Sequence, residues 1–266
     1  MDLGLSGKRA LVTGSSSGIG AAVADVLAAE GADVVVHGRD RDKLEAVAER
    51  VRGRGRRVDL ALGDLSSDAG ADEVVRAAAE GGPVDILVNN AGGTDLVPWF
   101  DAEPDLWAAA YQVNVVSAVR MIRAFVPAMR ERGWGRVVQV GGGLATQPIA
   151  MQPQYSAALA ARHNLAVSLA RELKGTGVTS NVVSPGPIMV EYMRDWLARV
   201  GPERGWGTEL PEIERRAAAE WVANDVGRYG TPEEVAAAVG YLASRQADYV
   251  TGSVLRVDGG FVAAVS

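Results

Sequence analysis

Short runs of β-branched and other apolar residues alternate along this chain with longer stretches whose apolar positions recur every three or four residues. The short runs are RALVTG (9–14), ADVVVHG (32–38), VDLALGD (58–64), VDILVNN (84–90), GRVVQVG (135–141), VTSNVVSP (178–185) and SVLRVDGG (253–260). They are nearly continuous in hydrophobicity, as strands buried on both faces are. The longer stretches predict helices near 18–30, 41–53, 70–80, 104–132, 154–174 and 232–244. Strands that alternate with helices predict an α/β fold, a doubly wound parallel sheet of about seven strands with helices on both faces. One region breaks the rhythm: 187–227 is long for a connection, and it predicts short helices serving as a substrate lid.

Composition narrows the picture. The chain has 266 residues, of which 48% are hydrophobic, enough for the core of one domain spanning 1–266. The net charge is −6 and the basic residues are scattered, which gives no footprint for nucleic acid or an anionic membrane. The Arg-rich segment RVRGRGRRV (50–58) reads as a solvated connection after a helix. No apolar run reaches the roughly 18 residues of a membrane span. The opening MDLGLSGKRALVTG runs directly into a strand, so no leader peptide is expected, and zero cysteines agree with a cytoplasmic location.

The first chemical motif is TGSSSGIG, Thr13 to Gly20, between a strand and a helix. Gly14, Gly18 and Gly20 allow a tight turn and close approach to a pyrophosphate. Ser16, Ser17 and Ile19 complete the turn, and the helix N-terminus offers free N–H groups. The next strand supports this reading. An enzyme using NAD ends that strand on a carboxylate for the ribose hydroxyls; here the place holds Gly38, followed by Arg39. Arginine can grip a 2′-phosphate, so NADP(H) is the expected cofactor, with NAD(H) the alternative because Asp40 follows at once.

Together these features resemble the short-chain dehydrogenase/reductase family, and the match runs almost end to end. TGSSSGIG matches its glycine turn, and LGDL, with Asp64 and Leu65, its adenine contact. NNAG, with Asn90, Ala91 and Gly92, matches its fourth-strand motif. SPGPI, with Pro185, Gly186 and Ile188, matches the segment over the nicotinamide. The resemblance implies Tyr155 as the catalytic tyrosine and Asn114 as the helix asparagine behind a water-linked proton relay. It also implies a small-molecule substrate and a homotetramer, with the helices at 104–132 and 154–174 forming one interface.

The sequence departs from the family at the reacting end. The family's serine, about 13 residues before the tyrosine, falls on Gly142, its lysine on Leu159, and a carboxamide-holding threonine on Val190. Bringing a tyrosine from pKa ~10 to ~7 requires about 4 kcal/mol of selective phenolate stabilisation, which that lysine normally shares. Alcohol oxidation needs the phenolate and should suffer most, whereas carbonyl reduction uses the neutral tyrosine as acid.

Arg162 lies seven residues after Tyr155 and nearly on its face, so it either reaches the cofactor ribose or serves an interface or solvent. His163 points elsewhere. Gln147 or Gln152 can replace the lost donor or cap loop backbone. The glycine run removes side-chain volume, and the lid carries Met189, Tyr192, Met193, Trp196, Trp206 and Trp221. These suit a bulky apolar or aromatic ligand, unless they pack the lid onto itself. Three functions remain open: an atypical NADP(H)-dependent carbonyl reductase, a redox-neutral dehydratase, cyclase or isomerase, and a non-catalytic nucleotide-binding subunit.

Overall fold

The computed structural model describes residues 3–93 and 95–264. Seven strands form one parallel sheet: β1 (Arg9–Val12), β2 (Asp33–Gly38), β3 (Val58–Leu62), β4 (Ile86–Asn89), β5 (Gly135–Val140), β6 (Val178–Pro185) and β7 (Val254–Val257), in the order β3-β2-β1-β4-β5-β6-β7. The helices among the described residues are α1 (Gly18–Ala29), α2 (Arg41–Arg52), α3 (Asp68–Glu80), α4 (Pro104–Tyr111), α5 (Ser117–Glu131), α6 (Pro153–Glu172), α7 (Glu191–Val200), α8 (Leu210–Glu220) and α9 (Pro232–Ala243).

Alternation along each strand feeds two cores. Val12, Val34, Val36, Val88 and Val138 face α1, α2 and α9, while Leu11, Val35, Leu87 and Val137 face α3 and α5. The winding reverses between β1 and β4, and ligands bind beyond the strand ends at such a switch point. Both the glycine turn and the NNAG segment sit there. None of the helices among the described residues is long and apolar enough to cross a membrane.

One element differs from the sequence reading. The single helix expected over 104–132 is interrupted by a π-helical turn, Gln112–Val116, with Asn114 buried inside it. The extra residue is held by Asn114 itself. Its Nδ2 donates to Ala110 O and Gly93 O, both at 2.9 Å, and its Oδ1 accepts from Gly93 N at 2.8 Å. The region 187–227 holds α7 and α8, with a small core of its own: Leu197, Trp206, Ile213, Ala217, Ala218 and Tyr229 are buried together.

Candidate active site

The nucleotide turn is built without room for side chains. A Cβ on Gly20 would lie 2.3 Å from Gly14 O and 2.5 Å from Asn90 Nδ2, and one on Gly14 would lie 2.8 Å from Ala91 Cα. Gly14 and Gly18 also have φ of +63° and +53°, where glycine is favoured. Asn90 closes the turn by donating to Thr13 O and Gly14 O at 3.0 and 2.9 Å. Thr13 Oγ1 in turn accepts from Asn90 N and Ala91 N. Ser17 precedes α1 without a side-chain capping bond, which leaves its hydroxyl out of the helix's own cap at an end suited to anions. Ile19 packs from this turn against the first core.

At the neighbouring strand end, a Cβ on Gly38 would approach Ser16 Cβ to 3.1 Å. Arg39 is 77% exposed and lies 3.8 Å from the Asp64 carboxylate. Asp40 is engaged at the next helix. Its Oδ1 accepts from Asp42 N and Lys43 N as the cap of α2. Asp64 accepts from Ser66 N at 2.9 Å, which holds its carboxyl below the usual range, and Leu65 beside it is buried.

His37 escaped the sequence reading. Its Nδ1 accepts from Gly14 N at 2.9 Å, so the proton lies on Nε2, which donates to Gly63 O at 3.1 Å. The imidazole thus ties the phosphate turn to the end of β3. Burial pushes its pKa down to about 4. The signal was present as one polar residue inside the apolar run VVVHG.

Pro153 starts α6 and places Tyr155, half-buried, in its first turn. Burial raises the Tyr155 phenol above its ordinary value, while the Arg162 charge pulls it down. Around the tyrosine the space freed by the glycine run is already filled. A Cβ at Gly141 would lie 2.3 Å from His163 Nε2, one at Gly142 3.0 Å from Leu159 Cδ1, and one at Gly143 3.0 Å from Val262 Cγ2. The run therefore accommodates bulky neighbours and does not enlarge the substrate space. His163 lies 3.5 Å from Gly142 N, and burial lowers its pKa to about 4, so it stays neutral.

Arg162 is neither at the surface nor free for an interface. It is 2% exposed, and its guanidinium donates to Asn114 O at 2.8 Å, Val140 O at 2.7 Å, Ala91 O at 2.7 Å and Asn89 O at 3.5 Å. A buried cation needs such oxygens. It lies on one stripe with Tyr155, Leu159 and Ala166 at helical spacing. The backbone carbonyl of Asn114, from which a water relay would start, is engaged by that same arginine.

The SPGPI segment crosses the top of the sheet. Gly186 N donates to Val257 O, Ile188 bridges to Gly230, and Val190 comes within 3.3 Å of where a Gly18 Cβ would be, leaning over the nucleotide turn. Pro185 ends β6 beneath it. The lid aromatics pack on themselves: the Trp196 and Trp221 rings are 4.6 Å apart, and Trp206 Nε1 donates to Glu220. Gln147 is engaged with the C-terminal tail through Phe261 O and Ala263 N, so it caps backbone.

Comparison with known proteins agrees with this geometry. Residues 8–200 match the short chain dehydrogenase family. An uncharacterized oxidoreductase of Bacillus subtilis is 36% identical over the full length of both chains. The D-beta-hydroxybutyrate dehydrogenase of Cupriavidus necator is 35% identical, covering 97% of this chain and 99% of that one. Among solved structures, L-sorbose reductase from Gluconobacter frateurii, complexed with NADPH and L-sorbose, superposes with a TM-score of 0.94 at 33% identity, covering 100% of both chains. The chain belongs to the short-chain dehydrogenase/reductase family.

Proposed function

We propose that the protein is an NADP(H)-dependent reductase acting on a carbonyl of a bulky apolar or aromatic substrate. The observation that carries this reading is one pairing: a nucleotide turn with no room for side chains and, in the first turn of α6, Tyr155 as a neutral phenol. The residues fit a dinucleotide. Gly14, Ser16, Ser17, Gly18, Ile19 and Gly20 would cradle the pyrophosphate, Asp64 and Leu65 the adenine, and Asn90, Ala91 and Gly92 the inner ribose. Pro185, Gly186 and Ile188 would lie over the nicotinamide. Arg39 projects free of strong pairing while Asp40 caps a helix, which favours a 2′-phosphate. The likeness to a reductase complexed with NADPH supports the same choice.

Bound NADPH supplies a hydride to the carbonyl carbon. Tyr155 would serve as the general acid that delivers the phenol proton to the carbonyl oxygen, while Asn114 holds the π-helical turn in place. With Gly142 and Leu159 at the serine and lysine positions, the substrate oxygen receives no second side-chain donor from those positions, and alcohol oxidation is correspondingly weak. A bulky apolar substrate is supported by exposed Trp99 and Phe100 after β4, Met151 after β5 and Tyr192 in α7. Exposed Tyr241, Tyr249 and Val254 near the β7 edge support a homo-oligomer, which we take as a cytoplasmic tetramer.

The test is NADPH oxidation with a panel of polycyclic and aryl ketones, with Tyr155→Phe as control. Turnover lost in Tyr155→Phe supports the reading, and undiminished turnover removes the acid from it. A redox-neutral reaction is the second reading, favoured by buried Leu159 where a lysine would serve redox chemistry. Substrate conversion without NADPH consumption would select it.

A further inference from the structure

We infer that Arg162 is a positioning cation for Tyr155, supplying from the back of the site the positive charge that Leu159 cannot, and locked so that it relays no proton. The inference rests on Tyr155 being the acid of the proposed reductase.

Placement is the first argument. Side chains on a helix slant toward its N-terminus, so a long residue two turns after Tyr155 reaches back toward it past Leu159. Leu159 is 2% exposed and fills the intervening position with hydrocarbon, which keeps water from screening the charge. The guanidinium is gripped at the ends of β4 and β5 and in the π-helical turn, which brings it to the backbone surrounding the reacting centre. Carbonyl dipoles solvate a cation without cancelling its net charge. The Arg162 charge accordingly pulls the Tyr155 phenol down, against the upward push of burial.

Other charges near α6 do not supply this effect. Asp105 and Tyr111 on α4 are exposed, Arg136 at the start of β5 pairs with Asp248, and His163 is neutral near pH 7. Arg162 remains protonated at neutral pH even though burial lowers its pKa to about 10. All three of its nitrogens donate to carbonyls, and a guanidinium has no acceptor site through which a proton could be relayed. The arrangement gives the electrostatic half of a lysine's role without the proton-transfer half.

The test reads Tyr155 itself. Protein labelled with 13Cζ-tyrosine is titrated by NMR, with the Tyr155 resonance assigned by its loss in Tyr155→Phe. Arg162→Gln, which keeps donors for the carbonyls but removes the charge, is expected to raise the Tyr155 midpoint by about one pH unit or more. Arg162→Lys, whose buried ammonium is neutral in this alkaline range, should shift it in the same direction. If Arg162→Gln does not fold, Arg162→His serves as the uncharged variant in the alkaline range. The alkaline limb of kcat/KM for ketone reduction should move with the midpoint. An unchanged midpoint in a folded, uncharged variant overturns the inference even if NADPH turnover persists. A shifted midpoint without NADPH turnover in the wild type keeps the cation and removes the reductase reading.

Discussion

The two ends of the cofactor groove are built on different terms. At the phosphate end, Gly14 and Gly20 face backbone atoms and the Asn90 amide at 2.3–2.8 Å from where a Cβ would stand, and none of these can withdraw. At the reacting end, Gly141, Gly142 and Gly143 face the side chains of His163, Leu159 and Val262, which have rotamers to spare. Backbone-on-backbone packing fixes the binding half, so its residues follow the family pattern closely. Side-chain packing lets the reacting half exchange volume between neighbours, and there the serine and lysine positions hold Gly142 and Leu159 as a filled pair.

Paired glycine substitutions test this contrast most strongly. Gly20→Ala is expected to destabilise the fold by about 3 kcal/mol and to weaken NADPH binding on the order of 100-fold, because the turn must open to admit a methyl group. Gly142→Ala should cost under about 1 kcal/mol and leave NADPH affinity within roughly twofold, because Leu159 Cδ1 at 3.0 Å needs to yield only slightly. Thermal unfolding and calorimetric titration measure both. Equal losses would erase the distinction between the two ends.

Acid should also strike the binding half. An unfolded histidine titrates near 6.5 and folded His37 at about 4, so between these values the unfolded chain binds the extra proton. Stability from His37 is complete above about pH 6.5 and declines as pH falls toward 4, by roughly 3 kcal/mol in all. Protonation would turn Nδ1 into a donor facing Gly14 N–H and break the tie to the turn. His163 shares the window through burial, and the Arg162 charge lowers it further. Urea unfolding between pH 7 and 4.5 should show the slope, and His37→Gln should flatten about half of it, His163 keeping the rest.

Cofactor choice sharpens the comparison within the binding half. Arg39→Ala is expected to reduce the NADPH preference over NADH about tenfold to thirtyfold, the range of a charge-assisted hydrogen bond. Asp40→Ala should instead cost about 1 kcal/mol of stability through loss of the α2 cap and leave the preference intact. Competitive titration of both dinucleotides checks each variant. A preference that moves with Asp40 would mean the ribose is read by that carboxylate after all.

Much of the fold was legible because strand runs and glycine turns are local signals. Each sheet strand falls within a run such as RALVTG or VTSNVVSP, and the nucleotide turn is contiguous in sequence. The π-helical turn was not legible, since 104–132 has continuous helical periodicity and only the Asn114 bonds to Gly93 reveal the inserted residue. The lid tryptophans read equally well as pocket lining or as a separate core, and only three-dimensional packing with Ile213 and Leu197 decides for the core. Arg162 misled because an arginine is ordinarily exposed. The carbonyls that accept it come from segments up to 73 residues away.

The smallest expected effect is a gain. Gly142 has φ of 177°, extended backbone that any residue adopts, so Gly142→Ser meets only Leu159 Cδ1 at 3.0 Å. By itself it crowds that leucine. Leu159→Lys by itself places a second buried cation near Arg162, and like charges in a site oppose one another. Together, the unbranched lysine vacates the space the serine needs, its charge favours the Tyr155 phenolate, and the serine orients the substrate oxygen. Oxidation of simple secondary alcohols should then rise by about tenfold, more than the two single changes combined, as expected for groups that act as a unit. Steady-state NADP+ reduction across the four proteins of the cycle measures the coupling. If the double variant shows only the sum of the singles, positions 142 and 159 do not exchange volume, and the reacting end is as rigidly packed as the phosphate end.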